Sequence, residues 1–306
     1  MAHHHGRHEL AELLDLDAEV LHSYLSDVTA WVREQAAGQP GRVLDVGAGT
    51  GAGTIALARC FAEAGVVAVD QSPEMLARIR SRAADLGLAG RVSTVRADLD
   101  AAWPAIGPVD VAWASNVLHE LGRPSRVLAD AFAAIRPGGL LAVAEMGAPP
   151  RFLPDDLGLG RPGLEARCHA ALAPGPATLE SAPAGPARGS AASAPRLDAD
   201  WGPRLEEAGF THVTRRTFVI DLRPPLPAAT GRYARTYLQR IRPVLGGRLD
   251  AGDLAALDTL IDSDGPDGLL RRADLTVRST RTAWVARRAL PPRLMSARGA
   301  RRPGLV

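Results

Sequence analysis

A glycine-rich segment has the clearest chemistry in this sequence. A short apolar run, 42–46, leads into Gly47, Gly49, Gly51 and Gly53. Glycine has no Cβ, so the backbone here can turn sharply and approach a ligand closely. The segment also fits the dinucleotide pattern Gly-x-Gly-x-x-Ala through Ala52. On its own it therefore predicts a nucleotide-type cofactor and leaves an NAD(P)-dependent oxidoreductase open.

Three carboxylates near predicted strand ends narrow the choice of cofactor. Asp45 precedes Gly47 by two residues, where it could accept hydrogen bonds from an ammonium group and would repel a pyrophosphate. Asp70 ends the second predicted strand and suits a ribose diol. Asp98 follows the third strand and could accept from an adenine amine. An ammonium, a ribose and an adenine without phosphate together describe S-adenosylmethionine.

A histidine follows the fourth predicted strand at the edge where ligands bind in an open α/β sheet. His119 would be the base that removes a proton from the molecule that receives the cofactor's methyl group, since a free imidazole has a pKa near 6.5. Glu120 beside it would orient the imidazole. Packing or a cofactor contact is an equally weighted alternative for His119.

An N-terminal helix is predicted to cover this edge. Tyr24, Asp27 and Trp31 follow the i, i+3, i+7 spacing and so share one helix face. Tyr24 and Asp27 would point at the acceptor or at His119, and Trp31 would contact substrate. Core packing of Tyr24 and Trp31 is the alternative. Four further residues are weaker candidates for substrate contacts: Glu145, Arg151, Tyr233 and Tyr237.

These residues lie on a predicted series of alternating strands and helices. Apolar runs at 42–46, 66–70, 92–96, 109–115 and 140–145 alternate with helical patterns at 54–64, 73–86 and 124–135. Such alternation is typical of a parallel sheet covered on both faces. Ser72-Pro73-Glu74 predicts a helix start, and 136–139 predicts a turn before the fifth strand. Later segments predict helices at 201–208, 230–241 and 251–261 and strands at 212–220 and 280–286.

From about Gly41 to Gly147 the chain resembles the class I S-adenosylmethionine-dependent methyltransferases. The resemblance rests on residues 44–51, 69–76, 96–98, 109–119 and 136–140. It implies a Rossmann-like α/β fold with a seven-stranded sheet whose last strand, 280–286, is antiparallel. The implied cofactor contacts are Asp45, Gly47, Gly49, Gly51, Asp70, Gln71, Asp98, Leu99 and Asn116.

The predicted organisation has one cofactor-binding core and several additions. Residues 1–40 form a helical lid, 41–150 the core, and 200–220 with 279–289 the rest of the sheet. Residues 221–278 form a helical cap. Residues 151–199 are an insertion that is partly flexible, since 19 of the 23 residues from 173 to 195 are Pro, Gly, Ala or Ser. Residues 290–306 are a basic disordered tail.

Composition excludes several classes of protein. The formal charge is +2, all 36 basic residues are arginine, and the last twenty residues carry six of them without an acid. The body is therefore slightly acidic, which argues against a nucleic-acid partner.

Two cysteines, Cys60 and Cys168, are too few for a disulfide scaffold or a usual zinc site. His3 to His5 indicate a chain-end extension rather than a metal site. We find no membrane span or signal peptide and expect a cytoplasmic protein with no metal, and a homodimer stays open.

The acceptor is predicted to be a small molecule. The helical insertions would enclose a pocket, and the Asn-Pro-Pro-aromatic motif of base-amine methyltransferases is absent, since the chain reads Asn116-Val117-Leu118-His119. The arrangement of Tyr24, Asp27 and His119-Glu120 distantly resembles bacterial natural-product methyltransferases that act on electron-rich aromatics, including carbon 3 of an indole. That resemblance favours an indole such as a tryptophan-derived diketopiperazine, or O- or N-methylation. An RNA or peptide acceptor is the alternative.

Overall fold

A computed structural model describes residues 2–173 and 199–291. Its strands are β1 Arg42–Val46, β2 Gly65–Asp70, β3 Val92–Arg96, β4 Val109–Ser115, β5 Ile135–Arg151, β6 Thr211–Leu222 and β7 Val277–Arg287. Its helices are α1 Ala2–Val20, α2 His22–Gln35, α3 Ala52–Cys60, α4 Pro73–Asp85, α5 Pro124–Ala134, α6 Leu164–Leu172, α7 Gly202–Glu207, α8 Ala229–Leu245 and α9 Ala251–Asp262. A short 3-10 turn covers Leu118–Glu120.

The seven strands form one sheet in the order β3-β2-β1-β4-β5-β7-β6. Strands β1 to β5 are parallel, whereas β7 runs antiparallel to both β5 and β6. This confirms the predicted Rossmann-like methyltransferase sheet with an antiparallel last strand. Because β1, β2 and β4 are parallel neighbours, the residues after their carboxyl ends meet at one edge of the sheet. That edge carries the glycine loop, Asp70 and Asn116.

The core strands are buried because both faces of the sheet are covered. Val43 and Trp113 belong to an apolar cluster with α2, α3 and α4, whereas Leu44 and Ala112 belong to a second cluster with α5 and α7. Near-continuous valine, alanine and leucine in these strands is the pattern expected for a parallel sheet with two covered faces. At the start of α4, the Ser72 side chain accepts a hydrogen bond from Met75 N at 3.3 Å, as the sequence predicts.

A third apolar cluster joins the N-terminal helix to the later insertions. It contains buried residues of α1, α6, α8 and α9 together with Phe152. Residues 1–40 therefore do not stand alone as a lid, because α1 shares a core with the helices between β6 and β7. In the described part of the chain, no helix is long and apolar enough to cross a membrane.

One predicted feature differs in the structure. The expected turn at 136–139 lies inside β5, whose pairing with β4 shifts register between Val109 and Val111. This irregularity accommodates Pro137, which cannot donate to the strand ladder. Helix α6 lies in the predicted insertion 151–199, just before the segment predicted to be flexible, 173–195, and its Leu164 and Cys168 are both buried. The backbone at His3 to His5 belongs to α1. The predicted flexible segment falls mostly at 174–198 and the basic tail mostly at 292–306, which are outside the described residues.

Candidate cofactor and active site

The glycine loop connects β1 to α3 in a conformation that depends on glycine. Gly47, Gly49 and Gly51 have φ values of +69°, +52° and +87°, which other residues rarely adopt. A Cβ on Gly47 would lie 2.2 Å from Cγ2 of Val117, and a Cβ on Gly51 would lie 2.5 Å from Cγ1 of Ile79. Gly51 therefore serves packing against α4, whereas Gly47 and Gly49 shape the ligand-facing turn.

Asp70, the last residue of β2, is hydrogen-bonded to the same loop. Its Oδ2 accepts from Gly49 N at 2.9 Å, and its Oδ1 accepts from Ser72 N at 2.8 Å. Each carboxylate oxygen keeps a further lone pair for a hydroxyl group. Asp70 thus sets the position of the glycine loop and lies where the resemblance places the ribose.

Asp45 lies deeper than expected from its place in the motif. It is 2% exposed, and its Oδ2 accepts from the Thr54 hydroxyl of α3 at 2.6 Å. Burial raises the pKa of Asp45 to about 7, although the bond from Thr54 opposes the shift. A cation placed nearby would favour the ionised form, so the buried carboxylate suits a cationic ligand. Contact with an ammonium group stays a prediction.

The remaining predicted cofactor residues divide into surface and core positions. Asp98 is exposed, and its Oδ1 accepts from Asp100 N at 2.9 Å in a local turn. Gln71 is exposed, and its backbone oxygen accepts from Arg96. Leu99 is buried in the apolar cluster below β2 and β4. The structure therefore leaves Asp98 and Gln71 free to reach a ligand and assigns Leu99 to packing.

Asn116 directly follows β4 and has an unusual backbone conformation. Its φ is +50°, uncommon for a residue other than glycine, though asparagine tolerates it best. Its backbone N–H donates to Ala144 O at 2.8 Å, and the next residue, Val117, packs directly against Gly47. Residues 116 and 117 therefore form the wall of the cofactor loop on the side of β4. Such a conformation at a strand end is a frequent mark of a functional site.

His119 lies between two carboxylates. Its Nδ1 is 2.6 Å from Oε2 of Glu145, and its Nε2 is 3.2 Å from Oε1 of Glu120. Burial lowers the pKa of His119, but the hydrogen bonds to Glu120 and Glu145 outweigh it and raise the pKa to about 9. The expected value near 6.5 is thus corrected, and His119 is protonated at neutral pH.

Glu145 fills a different role from the predicted substrate contact. It is the last residue of the continuously buried run of β5, and its Oε1 accepts from the N–H groups of Val117 and Leu118 at 3.2 and 2.9 Å. With its other oxygen bonded to His119, this carboxylate holds the turn after β4 and orients the imidazole. Sequence reasoning placed Glu145 at the correct edge but missed this function.

The predicted face of α2 does not point into the site as a unit. Trp31 is buried, with its ring centroid 6.2 Å from that of Phe218 on β6, so it packs in the core. Asp27 is exposed to solvent. Tyr24 is half-buried, and its hydroxyl is buried without a hydrogen-bond partner among the described residues. Burial raises the pKa of Tyr24, and the charges of Arg281, Asp17 and Glu145 act on it.

The three remaining candidates for substrate contacts are either packed in the interior or lie away from the carboxyl edge of the sheet. The Tyr233 hydroxyl donates to Asp17 Oδ1, and its ring packs on Phe152. Tyr237 also packs on Phe152. Arg151 is exposed at the far end of β5, where its register partner is Arg278. These three positions are therefore corrected to packing or surface roles.

Two residues that sequence reasoning missed complete the edge. Arg281 of β7 is 1% exposed, and its guanidinium donates to Oδ1 of Asp17 on α1 at 2.6 Å. Arg281 is the only charged residue of the predicted strand 280–286, and this was the signal that could have identified it, because an arginine is rarely fully buried unless it is paired.

Two cavities differ in position. One of about 250 Å³ lies beside Glu145 at the carboxyl edge, and its lining includes Thr217, Thr280, Thr282 and Trp284. A larger one of about 550 Å³, lined by Pro40, Asp110, Gly138 and Arg287 among others, lies where the amino ends of the parallel strands meet. Of these two cavities, only the smaller one is lined by a residue that contacts His119, namely Glu145. Among the described residues, no cluster of His, Cys, Asp and Glu could hold a metal ion.

The residues at this edge fit S-adenosylmethionine. The buried carboxylate of Asp45 suits the positive charge of the cofactor, Asp70 suits a ribose, and a Cβ on Gly49 would meet Leu14 at 3.4 Å, so bare backbone faces a narrow space.

Comparison with known proteins assigns one segment of the chain to a known family. Residues 43–139 match the family described as Methyltransferase domain. A malonyl-[acyl-carrier protein] O-methyltransferase of Laribacter hongkongensis is 37% identical over 113 residues, covering 35% of this chain and 38% of the relative. A ubiquinone/menaquinone biosynthesis C-methyltransferase of Azotobacter vinelandii is 34% identical over 113 residues, covering 37% and 45%. Among solved structures, the YcgJ protein of Bacillus subtilis has a TM-score of 0.49 at 12% identity, covering 87% of this chain and 99% of that chain. The chain spans less than half of the length of these two curated relatives.

Proposed function

We propose that this chain, whose residues 43–139 form a methyltransferase domain with S-adenosylmethionine as its cofactor, transfers a methyl group to a small-molecule acceptor. The observation that carries the proposal is that the segment matching the methyltransferase family is also the segment that holds the predicted cofactor residues. The matched segment contains the positive-φ glycine loop, Asp70 and the Asn116 turn, all at the carboxyl edge of the sheet. Both curated relatives are named as methyltransferases, one of oxygen and one of carbon, so they leave the acceptor atom open.

The cofactor would supply an electrophilic methyl carbon on a sulfonium. The protein's contribution would be to align the acceptor, exclude water and remove a proton. The new bond joins the acceptor atom to the methyl carbon, the bond from carbon to sulfur breaks, and the acceptor proton passes to a base. S-adenosylhomocysteine is the other product.

His119 is the proposed base, with Glu145 as the group that orients it. Glu145 holds Nδ1, which leaves Nε2 as the nitrogen that can face an acceptor. Glu120 occupies Nε2 but is 72% exposed, so its side chain can rotate into solvent. When the uncharged N–H or O–H of a bound acceptor takes the place of the Glu120 carboxylate at Nε2, one cause of the raised His119 pKa is removed. The imidazole would then be a usable base near neutral pH.

Tyr24 is a second proposed catalytic group. Its free hydroxyl is buried near Glu145, and the raised pKa keeps it protonated, so it would donate a hydrogen bond to the acceptor. Asp27 is not retained in this role because it is exposed.

The proposed acceptor is an electron-rich aromatic, with the indole of a tryptophan-derived diketopiperazine as the specific candidate. The cavity beside Glu145 is large enough for one ring system, with Trp284 as an aromatic wall and three threonines that can bond amides or hydroxyls. This polar lining favours an acceptor that combines a ring with hydrogen-bonding groups over a bare hydrocarbon ring.

Calorimetry with the full chain tests the proposal. We expect S-adenosylhomocysteine to bind and NAD⁺ and NADP⁺ not to bind. Transfer of a labelled methyl group is then measured to indoles, cyclic tryptophan dipeptides, phenols and short carboxylic acids, and to RNA and peptides as alternatives. Binding of NAD(P) alone would contradict the methyltransferase proposal, and transfer only to carboxylic acids or to RNA would contradict the aromatic acceptor.

A further inference from the structure

Arg281 is a buried charge that the proposed reaction does not use. It lies in β7 between Met146 of β5 and Phe218 of β6. A guanidinium at this depth is strongly destabilising unless it is paired and hydrogen-bonded. One Nη donates to Asp17 at 2.6 Å and the other to Oδ1 of Asn116 at 3.4 Å. The side chain therefore spans from an N-terminal helix to the end of β4.

Asp17 belongs to the helix that covers the glycine loop. Leu14, on the same helix α1, lies 3.4 Å from the position of a Cβ on Gly49. Asp17 also accepts from the Tyr233 hydroxyl of α8, so its carboxylate attaches α1 to both β7 and α8. The position of α1 over the loop thus depends on a charge pair beneath it.

Asn116 belongs to the wall on the opposite side of the loop. Its positive φ directs the chain so that Val117 packs on Gly47. A change in the Asn116 side-chain contact would alter the same turn that shapes the cofactor loop. Arg281 therefore contacts both elements that enclose Gly47 and Gly49, namely helix α1 and the turn after β4.

We propose that Arg281 is a positioning residue for the cofactor: it links Asp17 of the covering helix α1 to Asn116 of the β4 turn, so that both sides of the cofactor loop close together. The inference rests on the proposed function. Asp17 and Asn116 are not bonded to each other, so their effects on cofactor release must be coupled through Arg281.

A double-mutant cycle on the full chain tests this coupling. Asp17→Asn removes the charge while preserving the size of the side chain, and Asn116→Gly removes the carboxamide while allowing the positive φ. Each variant should release S-adenosylhomocysteine from immobilised protein at least about tenfold faster, measured by surface plasmon resonance. The double variant should be within about twofold of the faster single variant, because both changes break the same link.

Asp15→Asn is the matched control. Asp15 lies on the same helix but pairs with Arg78 and Arg82 of α4 at 3.2 and 3.3 Å, away from Arg281. Its release rate should stay within about twofold of wild type. Multiplicative effects of the two test substitutions, an Asp15→Asn effect equal to that of Asp17→Asn, or a lowered melting temperature with unchanged release would each overturn the inference. If the wild-type chain does not bind S-adenosylhomocysteine, the proposed function fails instead.

Discussion

Glu145 of β5 is hydrogen-bonded to His119 in the turn that follows β4, at the carboxyl edge of the sheet. Oε2 of Glu145, at the end of the buried part of β5, is 2.6 Å from Nδ1 of His119, which follows β4. The other oxygen of this carboxylate accepts from the backbone of residues 117 and 118. A single buried side chain therefore fixes both the path of the turn and the direction of the imidazole.

Removing the imidazole should lower the rate of the chemical step. We expect His119→Asn to reduce kcat by about 100-fold or more, the usual contribution of a positioned base. Affinity for S-adenosylhomocysteine, measured by calorimetry, should change little, since His119 is predicted to face the acceptor. Turnover close to wild type would mean that the site only aligns its reactants.

The exposed carboxylate should control the pH profile. Glu120→Gln removes one of the two causes that raise the pKa of His119 from its ordinary value to about 9. We expect the His119 pKa, followed by NMR titration, to fall, and the acid limb of kcat/KM to move to lower pH by a similar amount. Glu145→Gln should also lower the pKa but should reduce kcat as well, because it releases the turn. Equal pH profiles for wild type and Glu120→Gln would contradict this account.

Stability should fall as His119 loses its proton. The folded-state pKa, about 9, lies above the unfolded value near 6.5, so the folded state binds this proton more tightly. The resulting stabilisation is fully present below pH ~6.5 and is lost as pH rises through about 9. The full pKa difference corresponds to about 3 kcal/mol, and because the site is partly exposed we expect solvent screening to reduce the effect to on the order of 2 kcal/mol. Urea unfolding at pH 6 and pH 10 should show a larger loss for wild type than for His119→Asn.

Asp70 should matter more for the cofactor than for folding. Asp70→Ala removes the acceptor for Gly49 N and the predicted ribose contact, so we expect at least about tenfold weaker binding of S-adenosylhomocysteine, or about 1.4 kcal/mol. The melting temperature without ligand should change by only a few degrees. Asp85→Asn, on the exposed end of α4, is the control and should leave affinity unchanged. Unchanged affinity in Asp70→Ala would remove Asp70 from the cofactor site.

Trp31 should contribute to stability rather than to substrate binding. Its indole packs on Phe218 in the main core, so Trp31→Ala should lower the free energy of unfolding by about 3–5 kcal/mol. Trp31→Phe should recover most of that loss and show the wild-type KM for the acceptor. A raised KM in Trp31→Phe at normal stability would instead support the substrate contact predicted from the sequence.

Local patterns in the sequence determined the sheet, the glycine loop and its acidic neighbours. Strand and helix periodicities, the Ser72-Pro73 start and the spacing of Gly47, Gly49 and Asp70 all act within one βαβ unit, so they can be recognised without knowing the fold. The antiparallel last strand followed from family resemblance and is present in the structure.

Tertiary structure alone decided which side chains meet at the edge. Asp17 and Arg281 are 264 residues apart, and His119 and Glu145 are 26 apart on neighbouring strands. Helical spacing placed Tyr24, Asp27 and Trp31 on one face, but in the structure Tyr24 and Trp31 pack on Phe218 while Asp27 is exposed. Periodicity states which residues share a side of an element, whereas burial, pairing and the pKa of His119 depend on the element packed against that side.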